Sequence, residues 1–458
     1  MAENVLDLII IGGGPGGYLA AERAGHAGLS VTLFEKAELG GVCLNEGCIP
    51  SKTFLYSGKV FEHANNGKAF GVSADNAGID QKAVVKRKNK VVKTNVLGVK
   101  GKMKANNVTV ISAEARLAGR SGSNFKIVAE DKDYEAKNVI LATGSHAIVP
   151  PIKGVKEGLE SGFVLSNKEI LDLETIPEKL VVIGGGVIGL EMASYFLTVG
   201  SQVTVVEMLD HIAGDIDKEV GDLLQKTYAG KGMKFFLNSQ VTAVEDGQVK
   251  FELDGKAEAV PADKVLLSVG RRPSIQDLGL ESLGIYTEQG HIVTDDRGRT
   301  NVPGIYAVGD VNGRWMLAHA AYREAEVAVK TILGQKDNVR YNAMPSVIYT
   351  NPEVASVGLT EEECKDRGIE YKKVSIPMSY SGRFVAETDR ERSLCKIIVD
   401  TAHDRLIGCH LLGSYASELI ISAGIMIETE MTIDEIREAI FPHPTVAEVI
   451  REAVFMLD

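Results

Sequence analysis

Two cysteines five positions apart, Cys43 and Cys48, stand in the stretch Gly40-Gly41-Val42-Cys43-Leu44-Asn45-Glu46-Gly47-Cys48-Ile49-Pro50-Ser51-Lys52. A close pair of thiols can take up and release two electrons as a disulfide. Five residues of regular helix rise about 7.5 Å, whereas bridged cysteines hold their Cα atoms about 4.4 to 6.8 Å apart. A Cys43–Cys48 bond therefore requires a bent or broken helical turn, and a bridge closed under such strain is the more easily reduced. Two unrelated buried thiols would be the commoner state of so few cysteines. The glycines and proline around this pair, and its position after a nucleotide-binding fingerprint, favour a redox dithiol.

A base to serve such thiols is found near the other end. Phe441-Pro442-His443-Pro444-Thr445-Val446-Ala447-Glu448 sets a histidine between two prolines that fix the local backbone. Glu448, five residues on, can orient one ring nitrogen and leave the other as acid or base. Alone, such a loop histidine is more often structural; a reducible dithiol elsewhere in the chain turns the reading of His443 toward function. Cys364, Cys395 and Cys409 are widely spaced, without His or Cys at metal-ligand intervals. They read as ordinary buried or half-buried thiols, and no metal site is indicated.

The elements that must position these groups are legible upstream. Leu6 to Ile11 predicts a buried strand, followed at once by Gly12-x-Gly14-x-x-Gly17, a helical stretch to Ala27, a second strand from Ser30 to Phe34, and Glu35 at its end. This is a βαβ dinucleotide fingerprint: the glycines allow a tight turn and close approach of backbone to pyrophosphate, and the acid meets ribose hydroxyls. The pattern recurs from Val181 through Gly184, Gly186 and Gly189 to Glu207 at a constant offset of 172, Gly28 falling on Gly200. Two nucleotides can be bound. At the second site Glu207 repels a 2′-phosphate, and Met208-Leu209-Asp210-His211 offers no arginine to hold one, so NAD is favoured over NADP.

Length and charge bound the rest. The 458 residues predict about three domains at roughly 150 each. A balance of 50 basic and 62 acidic residues, net −12, argues against nonspecific binding to nucleic acid or anionic membrane. The N-terminal Met-Ala-Glu-Asn-Val-Leu-Asp has no basic leader region, and the late apolar run Leu419 to Ile427 falls far short of a membrane span of about 20 residues. The expectation is a cytoplasmic protein, where a reducing environment favours redox over structural use of a cysteine pair. Lys82 to Lys104 has apolar residues at helical spacing and predicts an amphipathic helix with a solvated basic face. Strand-like segments at Val108 to Ile111, Phe125 to Val128 and Asn138 to Leu141 lead to Ala142-Thr143-Gly144-Ser145, and Pro150-Pro151 marks a boundary. Two further strands end at Gly270 and Asp310, and from about Tyr341 strands at Ser346, Leu394 and Leu406 precede helical patterns at Ser417 and Val446, an α+β domain.

Taken together these motifs resemble, over nearly the whole chain, the flavin-dependent pyridine nucleotide-disulfide oxidoreductases, and within them the branch that oxidises dihydrolipoamide. The redox segment of that branch, Gly-Gly-x-Cys-Leu-Asn-x-Gly-Cys-Ile-Pro-Ser-Lys, is matched at every fixed place by Gly40 to Lys52. The resemblance implies an α/β fold with two Rossmann-like domains, for FAD and NAD, and a C-terminal α+β dimerisation domain. FAD would take residues 1–150 and 272–340, NAD 151–271, and the interface 341–458. It implies that Gly12, Gly14, Gly17 and Glu35 hold the adenosine and pyrophosphate of FAD, with Lys52, Thr143, Gly144, Ser145, Asp310, Met316, Leu317, Ala318 and His319 on its other parts. Gly184, Gly186, Gly189, Glu191, Glu207, Val241 and Gly270 would line the NAD site, Lys52 and Glu191 would pair beside the flavin, and His443 with Glu448 would serve the disulfide of the other subunit of a homodimer.

The implied reaction is oxidation of dihydrolipoamide through the Cys43–Cys48 disulfide and FAD, with NAD⁺ reduced. The implied partner is a lipoylated protein of a 2-oxoacid dehydrogenase complex or of the glycine cleavage system. The sequence shows no lipoyl domain of its own. A small-disulfide reductase using NADPH is opposed by Glu207 and by Leu44, Ile49 and Ser51, a mercuric reductase by a C-terminus without paired cysteines, and a noncatalytic flavoprotein scaffold or redox sensor by the retention of Cys43, Cys48 and His443. Four places depart from the common pattern of the branch: Val42, Glu46 between the cysteines, Phe441, and the run Ala320 to Glu326.

Overall fold

A computed structural model describes residues 5–457. Residues 1–4, on which the expectation of no leader partly rested, and Asp458 lie outside the described residues. The chain forms two compact units, each built from three separate stretches. The first comprises 1–53, 85–148 and 270–340, the second 54–84, 149–269 and 341–458.

The first unit is organised on a seven-stranded sheet. Leu6–Ile11 lies between Val31–Glu35 and Lys132–Leu141, parallel to both, and Thr109–Ser112 extends the edge beyond Val31–Glu35. Ile305–Ala307 runs parallel to the end of Lys132–Leu141, while Asn124–Ala129 and Ala115–Ser121 continue the sheet antiparallel. A parallel strand is covered on both faces and so is apolar at every position. Alternation divides the residues of Leu6–Ile11 accordingly: Leu8 and Ile10 join Leu33 in one core, Ile9 and Ile11 join Phe34 in the other. The helix Pro15–His26 packs on the first of these cores together with Ala318–Ile332 and the end of the long helix Gln81–Ala105.

The second unit contains a parallel five-stranded sheet with Lys179–Ile183 at its centre, flanked by Gln202–Val206 and Lys264–Leu267. A three-stranded antiparallel meander, Ser239–Glu245, Gln248–Leu253 and Lys256–Pro261, follows. The C-terminal part is an antiparallel five-stranded sheet, covered by Ala416–Glu428, Ile433–Glu438 and Glu448–Phe455 around a core that includes Ile397, Leu411, Ile420 and Val449. The α/β architecture with a C-terminal α+β part is as the motifs predict. The basic amphipathic stretch is helical over Gln81–Ala105. Apolar periodicity did not reveal the length of the helix Cys48–Asn66, whose exposed face itself carries apolar residues, Tyr56 and Val60. Among the described residues no helix is long and apolar enough to cross a membrane.

Candidate active site

The dithiol sits where a helix is interrupted. Gly41–Asn45 is one short helix and Cys48–Asn66 begins the next, with Glu46 and Gly47 between them. This is the broken turn that the five-residue spacing requires. Two left-handed glycines start it: Gly40 at φ 104° and Gly41 at φ 57°, where a side chain would be strained. A Cβ on Gly41 would stand 2.7 Å from the Gly14 Cα, so the redox segment lies directly against the nucleotide turn of the same unit. Asn45 ties the break by donating to the Leu39 and Gly41 carbonyls at 3.2 and 2.9 Å.

Both cysteines are in the reduced, unbridged form and half-buried. The Cys43 pKa is raised by its hydrogen bond with Cys48 and by burial, against the pull of Lys52. The two sulfurs thus lie within hydrogen-bonding reach of each other, with Lys52 acting on Cys43 in the opposite sense. Two features on this side were not legible in the sequence. The Tyr18 and Tyr322 hydroxyls hydrogen-bond one another, both within electrostatic reach of the two thiols. Tyr322 belongs to the departing run 320–326, which gives that departure a structural consequence. Arg271 donates through Nε to Ser145 Oγ at 2.8 Å and through a terminal nitrogen to the Ser145 carbonyl at 2.7 Å, and the Ser145 hydroxyl donates to Asp310. Burial lowers the Arg271 pKa, while Asp310, Glu46 and Cys48 act in the opposite sense. The unusual acid between the cysteines therefore lies within electrostatic reach of a half-buried cation.

The first fingerprint is shaped for a dinucleotide. A Cβ on Gly17 would stand 1.8 Å from the Gly12 carbonyl oxygen, and one on Gly12 would stand 2.3 Å from that of Ala142. Gly14 is open by contrast, its nearest neighbour at 3.8 Å, and no side chain caps the helix that begins at Pro15. Uncapped N–H groups next to an open glycine fit the diphosphate of FAD. Glu35 accepts from the Gly13 and Ala37 amides, each at 2.7 Å, which fixes its carboxylate at the strand end. Thr143 donates to the Ser274 carbonyl at 2.7 Å, Gly144 takes φ 69°, and Met316 and Leu317 lead into the helix whose first residues are Ala318 and His319. The residues expected to serve FAD are thus all in the first unit, as are Cys43 and Cys48.

In the second unit the copy is faithful. A Cβ on Gly184 would meet the Ser268 carbonyl at 2.2 Å, one on Gly189 the Gly184 carbonyl at 2.4 Å, and Gly186 has nothing within 4 Å. Glu207 accepts from the Gly185 and Leu209 amides at 2.6 and 2.8 Å, the same two bonds displaced by 172 residues. This geometry fits NAD, and the fixed carboxylate is ill placed for a 2′-phosphate. Glu191 is 3% exposed and accepts from the Tyr349 amide at 3.0 Å, and Val241 is buried in the meander. Gly270, expected with this group, begins the first unit's last stretch at φ 106°.

His443 and Glu448 meet as their spacing suggests. His443 Nδ1 bonds Glu448 Oε1 at 2.9 Å, and Oε2 accepts from the Thr445 amide at 2.9 Å. The backbone bond and the imidazole together lower the Glu448 pKa, which keeps it an anion behind the ring. The imidazole is 79% exposed, with Nε2 turned away from its carboxylate. Cys364, Cys395 and Cys409 are fully buried, and the sheet sets Cys395 and Cys409 against each other, which their sequence separation does not suggest.

Residues 6–325 match the pyridine nucleotide-disulphide oxidoreductase family, and 344–454 match the dimerisation domain of that family. The chain is 38% identical to a dihydrolipoyl dehydrogenase of Chlamydia muridarum over 99% of its own length and 97% of that protein. It is 39% identical to the mitochondrial dihydrolipoyl dehydrogenase of Pisum sativum over 98% and 90%. Among solved structures, LpdA from Mycobacterium tuberculosis superposes with a TM-score of 0.90 at 25% identity, over 99% of this chain and all of that one. The HOCl-induced flavoprotein disulfide reductase RclA from Escherichia coli does so at 0.86 and 25%, with the same coverage. With a redox dithiol, two dinucleotide cradles and a family match along nearly its whole length, the chain belongs to the pyridine nucleotide-disulphide oxidoreductases, FAD-dependent enzymes that couple a disulfide to a nicotinamide nucleotide.

Proposed function

We propose that this enzyme oxidises dihydrolipoamide to lipoamide with NAD⁺ as acceptor, its substrate carried on a lipoylated protein of a 2-oxoacid dehydrogenase complex or of the glycine cleavage system. The observation that carries the reading is the dithiol set across a broken turn in a chain whose second nucleotide acid, Glu207, is fixed by two amides. The names of its full-length relatives support it. We assign 1–150 and 272–340 to FAD, 151–271 to NAD and 341–458 to the subunit interface, and we place the enzyme in the cytoplasm. Residues 54–84 fold with the second unit, so the FAD assignment is one of function rather than of compactness.

In the proposed cycle the oxidised enzyme holds a Cys43–Cys48 disulfide. His443, backed by the Glu448 anion, takes the proton from one substrate thiol at the disulfide of the second copy. The thiolate attacks the Cys43 sulfur, the Cys43–Cys48 bond breaks, and Cys48 leaves as a thiolate with the bonding electron pair. The second substrate thiol then attacks the first substrate sulfur in the mixed disulfide and expels Cys43, which takes the proton held by His443, while the attacking thiol's own proton passes to the imidazole in exchange. Lipoamide departs, and its two electrons remain in the enzyme dithiol. Bound FAD supplies the relay from that dithiol to NAD⁺. Lys52, one helical turn after Cys48, steadies the thiolate charge.

Side-by-side assays test the reading. Dihydrolipoamide with NAD⁺ is expected to turn over, and glutathione disulfide with NADPH is expected not to; the reverse result would make the protein a small-disulfide reductase. Cys43→Ser is expected to retain the long-wavelength absorbance of a thiolate against flavin and Cys48→Ser to lose it. Identical spectra from the two variants would refute the division of labour.

A further inference from the structure

The helix Gln81–Ala105 carries nine basic residues and no acidic one, in a chain of net charge −12. Its inner side contributes Val99 and Met103 to the core that also contains Leu44, with Ile49 packed at its edge. These two apolar residues directly follow Cys43 and Cys48, and two contacts join the helix to the chain at either end of the same segment: Lys100 donates to Glu38 at 3.2 Å and Arg87 to the Thr53 carbonyl at 3.5 Å.

Its outer side is a row. Lys86, Lys90, Lys93, Leu97, Lys100 and Lys104 are all exposed. At 100° per residue they fall within an arc of about 80° and extend about 27 Å along the axis. Lys100 reaches Glu38 at 3.2 Å, while the ammonium groups of Lys86, Lys90, Lys93 and Lys104 have no ion-pair or hydrogen-bond partner among the described residues. Like charges at i, i+3 and i, i+4 each cost a helix about 0.2–0.5 kcal/mol, so the row weakens the element that bears it. Leu97, 57% exposed, stands in the middle of the row as an apolar contact among cations.

We infer that this row is the docking surface for an acidic face of the protein that carries the substrate dithiol. The inference rests on the reading above, in which the substrate is a lipoyl group on a protein. A row of cations whose Lys100 meets Glu38, two residues before the redox segment, steers an acidic carrier toward that segment and leaves a small free substrate indifferent to it.

The test uses the flavin-loaded enzyme and three reductants: free dihydrolipoamide, dihydrolipoyl-lysine in a peptide flanked by aspartate and glutamate, and the same in a peptide flanked by serine and glutamine. At low ionic strength the acidic peptide is expected to exceed the neutral one about tenfold in kcat/KM and to lose that advantage as salt rises. In Lys86→Glu/Lys90→Glu/Lys93→Glu the preference should invert, with the rate on free dihydrolipoamide unchanged. That unchanged rate certifies the fold, and the milder Lys→Gln triple variant, expected to abolish the preference, serves if the reversed one is poorly folded. Equal values for the two peptides, or a preference that survives both triple variants, would overturn the inference alone. Competition by short duplex DNA as strong as by the acidic peptide would mark a generic polyanion surface and overturn it too. No turnover of free dihydrolipoamide would instead overturn the functional reading on which it rests.

Discussion

The two dinucleotide cradles are one structure used twice, and what they share says less about this enzyme than where they part. Glu35 and Glu207 accept the same two backbone hydrogen bonds, and Gly17 and Gly189 press on equivalent carbonyls. The copies diverge at adjoining helix positions. Tyr18 in the first stands where the second has Leu190, and Glu191 in the second stands where the first has Leu19. Each polar group is buried and bonded, Tyr18 to Tyr322 beside the thiols and Glu191 to the Tyr349 amide. They diverge again after the acid. The first chain enters the redox helix within a few residues, whereas the second runs to Asp217, which caps the helix Lys218–Gly230. A shared scaffold has thus been given its chemistry by a few substitutions around an unchanged turn.

If the copies serve different nucleotides, the same lesion in each should cost different things. Gly17→Ala and Gly189→Ala both drive a methyl into a carbonyl oxygen, at 1.8 and 2.4 Å. The first is expected to purify without flavin colour and with activity reduced about 10³-fold or more, since a lost clash-free approach is worth several kcal/mol. The second is expected to stay yellow and to be reduced by dihydrolipoamide, with the KM for NAD⁺ raised about 100-fold. Absorbance spectra and steady-state assays on the two proteins decide it; equal flavin loss from both would erase the distinction between the cradles.

The next largest effect is expected where one copy has an acid and the other a leucine. Glu191→Gln can still accept from the Tyr349 amide, so the fold is expected to persist. Turnover with NAD⁺ should fall about 10- to 100-fold if the buried charge is used in the reaction, while the rate at which dihydrolipoamide reduces the enzyme stays at the wild-type level. A stopped-flow separation of the two half-reactions reads both, and a loss confined to the first would move Glu191 out of the nucleotide half.

Much of this was legible in the chain, for identifiable reasons. A glycine turn between apolar strands and a trailing acid is a local pattern, and both cradles follow from it. The cysteine spacing demanded a break, and the break is at Glu46 and Gly47. The His443–Glu448 bond joins residues five apart, the histidine set between two prolines, and was equally local. What escaped depends on segments far apart in the chain. The sheet edge Arg271–Pro273 pairs with Ser145–Ala147, and only that pairing brings Arg271 to Ser145 and Asp310. Tyr18 finds Tyr322 across 304 residues, and Cys395 finds Cys409 across two strands. No periodicity or spacing reports such meetings.

The smallest effect is expected at the far end of the second cradle's loop, and it is a matter of pH. Lys396, 1% exposed, donates to both oxygens of Asp217 at 2.9 and 2.8 Å and also to Glu361, which in turn accepts from Lys373 at 2.7 Å and Tyr371 at 3.0 Å. Burial alone would raise the Glu361 pKa, but the bonds from Lys373, Lys396 and Tyr371 outweigh it and hold the group down at about 2. A carboxyl depressed in the folded state contributes stability that is present above its ordinary value of about 4.5 and is lost as pH falls through the folded one. Lys396 is shifted the other way: burial lowers its pKa, and Asp217 and Glu361 more than restore it. Its contribution is complete below about 10.5 and fails only as pH climbs past its folded value. The cluster is therefore intact across neutrality and yields first on the acid side. Glu361→Gln, which leaves the Lys396–Asp217 pair in place, is expected to lower stability by about 1.5 kcal/mol at pH 7, with the difference from wild type closing between about pH 4.5 and pH 2. Urea midpoints measured across that range check it. A deficit that stays constant down to pH 2 would mean that packing, not charge, holds this end of the loop, and the second cradle would then differ from the first in shape alone.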